Sequence, residues 1–120
     1  GNKSAKLNAN GATGSLYQYI ELDAGVYTVS GYIKNKGDSN NAYIDVDGTG
    51  VTRIDSITKA PNDDAWHYVE LGFRVDADES YTRINLVNHS SGIVYFDNIE
   101  FVKGYKDTRK NIIGNSSFEN

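Results

Sequence analysis

The chain has 120 residues and carries 12 Lys and Arg against 16 Asp and Glu, a net charge of -4. That length fits one domain able to bury roughly two thirds of its unfolded surface. The acidic balance argues against a general nucleic-acid binder, the absence of Cys removes disulfide, zinc-thiolate and thiol chemistry, and no stretch approaches the ~20 apolar residues of a membrane span. Tyr occurs 9 times and Gly 12 times against a single Pro. Aromatic and β-branched residues are plentiful, and that is an all-β profile.

In chain order, Lys3 to Asn8 alternates weakly, with Ala5 and Leu7 on one face. Asn8 to Ser15, rich in Gly and Asn, reads as a loop. Leu16 to Leu22 places Leu16, Gln18, Ile20 and Leu22 on one face and Tyr17, Tyr19 and Glu21 on the other. Asp23-Ala24-Gly25 turns the chain into Val26 to Lys34, the clearest strand. There Tyr27, Val29, Gly31 and Ile33 face one way and Thr28, Ser30, Tyr32 and Lys34 the other. After the polar loop Asn35 to Asn41, Ala42 to Asp47 alternates Ala42, Ile44 and Val46 against Tyr43, Asp45 and Asp47. Val51 to Thr58 is expected as a strand ended at Pro61.

Trp66 to Val75 sets His67, Val69, Leu71, Phe73 and Val75 against Trp66, Tyr68, Glu70, Gly72 and Arg74. Tyr81 to Asn88 sets Thr82, Ile84 and Leu86 against Arg83, Asn85 and Val87. Ile93 to Val102 begins apolar on both faces, as a buried central strand does. Eight or nine short strands with frequent turn signals predict an antiparallel two-sheet β-sandwich of jelly-roll type. The expected core is Leu7, Ile20, Leu22, Tyr27, Val29, Ile33, Ile44, Val46, Val69, Leu71, Phe73, Ile84, Leu86, Tyr95, Ile99 and Phe101.

Three segments carry a resemblance. YQYIELDAGVYTVSGYIK (17–34), WHYVELGFRV (66–75) and VYFDNIEF (94–101) resemble strands of secreted carbohydrate-binding modules of the galactose-binding-like jelly-roll type. That group includes xylan- and glucan-binding modules of bacterial glycoside hydrolases. Similar modules occur in Gram-positive wall proteins with tyrosine-aspartate repeats. The resemblance covers most of residues 3–103 and implies an extracellular or cell-wall location, a polysaccharide or wall-glycan partner and neighbouring domains in a longer chain.

The chain opens in mid-pattern and is expected to be a piece of something longer. Residues 1–103 are read as the module. Asn111 to Asn120, NIIGNSSFEN, looks like the opening segment of such a module, displaced to the end. Residues 104–120 are then either a linker and the start of a following module, or a permuted strand, or one exchanged with a second chain in a swapped dimer. The resemblance also implies a structural Ca²⁺ site, which carries over to Asp97 and Glu119. Asp97 is expected at a core-facing position, where a carboxylate must be paired or metal-bound.

Sugar binding draws on aromatic rings that stack on pyranose C–H faces and on polar groups that meet hydroxyls. The outward candidates are Tyr32, Tyr43, Trp66, Tyr68, Glu70, Arg83 and Asn85, which form a strip if their strands share one sheet. Catalysis finds little footing. Asp63-Asp64 and the Asp45/Asp47 pair read as solvated residues rather than a glycosidase pair, and neither His67 nor His89 belongs to a triad. The sequence predicts a non-catalytic carbohydrate-binding module. The alternative is a structural or adhesive spacer with no sugar binding.

Overall fold

The computed structural model describes residues 4–12 and 14–105, with side chains from residue 14 onward. Eight strands and no helix make up the described residues: β1 (Ser4–Ala12), β2 (Leu16–Leu22), β3 (Gly25–Asn35), β4 (Ala42–Asp47), β5 (Val51–Arg53), β6 (Trp66–Val75), β7 (Ser80–Asn88) and β8 (Val94–Lys103). They form a five-stranded sheet in the order β1-β8-β3-β6-β5 and a three-stranded sheet in the order β2-β7-β4. Every ladder is antiparallel, and the chain passes repeatedly from one sheet to the other. The predicted all-β jelly-roll sandwich is the fold found.

The inner faces follow the period-two pattern. Tyr27, Val29 and Ile33 of β3 lie opposite Phe73, Leu71 and His67 of β6. The first five are buried and pack with Ile44, Val46, Ile84 and Leu86 from the other sheet. Such burial contributes about 1.5–3 kcal/mol per aliphatic or aromatic side chain. Tyr27 stacks on Phe73 at 5.7 Å and its hydroxyl donates to the Asp23 carbonyl at 2.8 Å, so its polar end is satisfied inside the sandwich. His67 sits only half-buried at the end of its row. On β2, Leu22 is buried and Ile20 packs against the core, but Leu16 and Gln18 are exposed, because β2 is an edge strand that overhangs the core.

Three expectations change. First, β1 runs on through Ala12, where Asn8 to Ser15 reads as loop. Its backbone pairs with β8 as far as Ala12↔Val94, with a register shift between Ala9 and Ala12 that Asn10 and Gly11 accommodate. The side chains of Ala5 and Leu7 lie outside the described residues. Second, β5 stops at Arg53 rather than Thr58, because Ile54 and Asp55 both turn their N–H groups onto the Gly72 carbonyl and leave the ladder.

The third change concerns β8. Between Phe96 and Ile99 both neighbours skip one residue of this strand: Ser30 pairs with Glu100 but Tyr32 with Asp97, and Leu7 pairs with Ile99 but Ala9 with Phe96. Asn98 takes up the extra residue with φ 55°, in the left-handed region that Asn tolerates best after Gly. The bulge reverses the alternation. Val94 and Phe96 are buried before it, and Ile99 and Phe101 after it. Asp97, expected to face the core, is exposed, and Tyr95, expected in the core, is half-buried on the outer face.

Gly and Asn suit the backbone at this point best, and a β-branched residue suits it least. Asn98→Val is therefore expected to lose at least about 1 kcal/mol relative to Asn98→Gly in urea unfolding. Equal midpoints for the two variants would contradict the bulge.

Candidate carbohydrate-binding face

The outer face of the five-stranded sheet is built in rows across β6, β3 and β8. Trp66, Lys34 and Tyr95 form one row, Tyr68, Tyr32 and Asp97 the next, and Glu70, Ser30 and Glu100 a third. At the spacing of strands and of alternate residues, these nine positions cover about 10 by 14 Å, with Ser30 and Glu100 of the third row buried. Tyr32, Tyr68 and Trp66 are 40%, 47% and 47% exposed, high values for aromatic rings inside continuous strands. The Tyr32 and Tyr68 rings lie 5.1 Å apart, tilted by 56°, and Trp66 and Tyr95 lie 6.5 Å apart. The Lys34 ammonium stands 5.9 Å from the Trp66 ring, a cation–π distance. The Tyr68 hydroxyl donates to Glu70 Oε2 at 2.8 Å, which fixes that carboxylate beside the rings. Aromatic area, a cation and oxygen acceptors therefore share one surface.

One end of this face is closed by the chain that follows β8. The Gly104 N–H donates to the Val26 carbonyl, and Thr28 Oγ1 donates to the Gly104 carbonyl at 2.7 Å. The Tyr105 ring lies over Gly72, where an added Cβ would come within 2.5 Å of it, and the Tyr105 hydroxyl donates to Asp55. Asp55 also accepts the Gly72 N–H at 2.9 Å. Thr28 and Gly72 form the row next to Ser30 and Glu70, so Tyr105 borders the platform. Sequence reasoning missed Tyr95, Asp97 and Tyr105 as members of this surface. The first two were hidden by the bulge, and the third depends on a contact between residues far apart in the chain.

The strip expected from sequence is divided between two faces. Tyr32, Trp66, Tyr68 and Glu70 belong to the five-stranded sheet, whereas Tyr43, Arg83 and Asn85 stand on the outer face of the three-stranded sheet. There Arg83 donates from Nε and Nη2 to the two oxygens of Asp47 at 3.1 and 2.8 Å, and Asn85 Nδ2 donates to Asp47 Oδ2 at 3.4 Å. Arg53 holds Asp45 through a similar pair at 2.6 and 3.0 Å. Tyr43 has Lys59 5.8 Å from its ring and His89 at 6.1 Å. Asp45 and Asp47, one of the carboxylate pairs considered for glycoside hydrolysis, are each engaged by their own guanidinium. Asp63 accepts from the Ala65 N–H and meets His67 Nε2 at 2.9 Å within its turn.

Calcium was expected on Asp97 and Glu119. Asp97 is exposed on the bulge and Glu119 lies outside the described residues. Among the described residues no group of three or more His, Asp or Glu side chains gathers to hold a metal. The displaced opening segment Asn111 to Asn120 also lies outside the described residues, as does any strand exchange it makes.

No protein-family model matches the chain, and no curated protein matches it. Among solved structures, the chain is similar to the CBM22-1 xylan-binding domain of Paenibacillus barcinonensis Xyn10C, with 14% sequence identity and a TM-score of 0.47 over 88% of this chain and 84% of that one.

The Arg83 hydrogen bonds hold the Asp47 carboxyl below its ordinary pKa. A depressed carboxylate stabilises the fold fully above its unfolded value of about 3.9 and loses that contribution as pH falls through the folded value. Arg83→Gln should move the Asp47 titration upward toward about 3.9 in carboxyl NMR. An unchanged midpoint would remove the ion pair as the cause.

Proposed function

We propose that this domain is a non-catalytic carbohydrate-binding module of a secreted or cell-wall-associated protein, and that it binds polysaccharide on the outer face of the five-stranded sheet. The observation that carries the reading is the row of Tyr68, Tyr32 and Asp97, flanked by Trp66 and Tyr95 on one side and Glu70 on the other. Rings held at 5.1 Å on rigid neighbouring strands present a preformed surface for pyranose C–H faces, and little side-chain entropy is left to lose. Glu70 and Asp97 accept hydrogen bonds from sugar hydroxyls at the edge of the rings. Tyr105 limits the platform at the Gly72 end and so sets how the polymer lies across it.

This division of labour suits a polymer that slides onto an open face. A glycosidase requires two carboxyl groups facing one another across a scissile bond, whereas this surface offers carboxylates beside a stacking floor. Extracellular placement belongs to the same proposal, because the module would serve a larger chain by holding it on insoluble glycan. Xylan and β-glucan are the first ligands to try, given the segments that resemble modules for those polymers.

Affinity electrophoresis in soluble xylan and soluble β-glucan tests the proposal. Tyr32→Ala and Tyr68→Ala should each weaken retardation about three- to tenfold, as expected for the loss of one stacking contact of about 0.5–1.5 kcal/mol. Asp97→Asn should weaken it less, and circular dichroism should stay native in all three. Wild-type mobility unaffected by either polymer, or retardation as strong in the Tyr32→Ala/Tyr68→Ala double variant as in the wild type, would overturn the assignment.

A further inference from the structure

The most exposed large aromatic side chains among the described residues are on neither the platform nor its rim. Tyr81, Tyr17 and Tyr19 are 65%, 63% and 57% exposed, and all three stand on the outer face of the three-stranded sheet. Across β2, β7 and β4 the rows read Tyr17, Asn85, Asp45 and then Tyr19, Arg83, Asp47, with Glu21 and Tyr81 opposite one another below. The surface repeats the design of the opposite one: rings on a regular ladder, with hydrogen-bonding groups between them.

Its geometry is fixed by side-chain contacts. Tyr17 and Tyr19 meet edge to face at 5.7 Å. The Arg83 guanidinium lies 5.3 Å from the Tyr17 ring centroid and is held in place by its two bonds to Asp47. Those bonds use two of the five donors a guanidinium carries, which leaves donors for a ligand.

Charge and area narrow the occupant. Arg53 and Arg83 are each matched by an Asp, so the face has little net field with which to draw a nucleic acid or a charged peptide. The rows span an area of the order of 10 by 14 Å, well short of the roughly 800 Å² per partner that a stable protein interface buries. Isolated rings among neutralised donors and acceptors match a neutral, hydroxyl-rich ligand that stacks and hydrogen-bonds over a few sugar units.

We propose that this face is a second carbohydrate-binding platform, so that one domain grips two polysaccharide chains on opposite sides of the sandwich. The proposal rests on the reading of the five-stranded face as a glycan surface. It adds cross-linking to retention: Tyr17, Tyr19 and Arg83 bind one chain while Tyr32 and Tyr68 bind another. Binding to a polymer that reaches both faces then gains avidity without any new contact.

A bridging assay tests it. Insoluble xylan is incubated with the domain, washed, and then offered fluorescent soluble xylan, with the same pair of β-glucans in parallel. The wild type should capture the soluble polymer. Tyr17→Ala/Tyr19→Ala and Tyr32→Ala/Tyr68→Ala should each cut capture at least tenfold while each still binds the insoluble polymer. Arg83→Gln, a milder change on a solvent-facing side chain, should lower capture two- to fivefold. Native circular dichroism in every variant excludes misfolding as the cause. Capture unchanged in Tyr17→Ala/Tyr19→Ala, or all binding lost in Tyr32→Ala/Tyr68→Ala, would overturn the second platform and leave the first standing. A wild type that binds neither insoluble polymer would overturn both.

Discussion

One extra residue in β8 sets the chemistry of the five-stranded face. Without the bulge at Asn98, strict alternation could not bury both Phe96 and Ile99. A carboxylate left between two apolar layers would cost several kcal/mol unless paired. The bulge removes that conflict by placing two consecutive polar residues, Asp97 and Asn98, on the solvent side while the apolar residues on either side stay inside. The backbone strain of a left-handed Asn is small beside that cost. The same local distortion places Asp97 opposite Tyr32 and leaves Tyr95 level with Lys34 and Trp66. A device that solves a packing problem thereby completes a polar-aromatic surface.

The sandwich itself explains why the polar and aromatic residues fall into two groups. Strands that alternate between sheets send their outward residues to opposite sides of a core about 10 Å thick. Neighbouring strands in sequence, such as β3 and β4, therefore carry Tyr32 and Tyr43 to different faces. Within each face side chains fix one another, Tyr68 on Glu70 and Arg83 on Asp47, and Arg53 of β5 reaches across to Asp45 of β4 in the other sheet. Surface ion pairs of this kind contribute little to stability. Their effect is to hold donors and rings in one arrangement, which under the proposed function lowers the entropy lost on binding.

Much of this was legible in the sequence. Period-two runs located all the long strands from β2 onward, and the buried Leu22, Tyr27, Val29, Ile33, Ile44, Val46, Val69, Leu71, Phe73, Ile84 and Leu86 follow from the inward phase of their runs. Tyr32, Trp66, Tyr68 and Glu70 were legible as outward residues because they lie within unbroken alternation. What could not be read was non-local. Sheet membership depends on which strands pair, and nothing in the spacing of Tyr43 or Arg83 reveals that β4 and β7 belong to the smaller sheet. Plain alternation back from Phe101 puts Asp97 inside, because an Asp-Asn pair in a strand leaves open whether one residue or two face outward. The Asn is the only local hint of a bulge. The passage of Tyr105 over Gly72 joins segments more than thirty residues apart, and the bare glycine marks the contact only once its neighbour is known. β5 ends before the sequence signals it, because the β-branched residues Ile54, Ile57 and Thr58 follow after the backbone has left the ladder at Arg53.

Under the proposed function, the faces of a rigid scaffold, rather than its loops, do the recognising. Strand register fixes ring spacing, and a single bulge decides which acidic group joins the rings. Amide chemical-shift mapping during titration with xylan- and β-glucan-derived oligosaccharides tests this most directly. Shifts centred on Tyr32, Tyr68, Tyr95 and Asp97, with the buried side of β3 and β6 little changed, are the result this account predicts. Saturating perturbations confined to the interstrand loops, with those four residues unmoved, would contradict it.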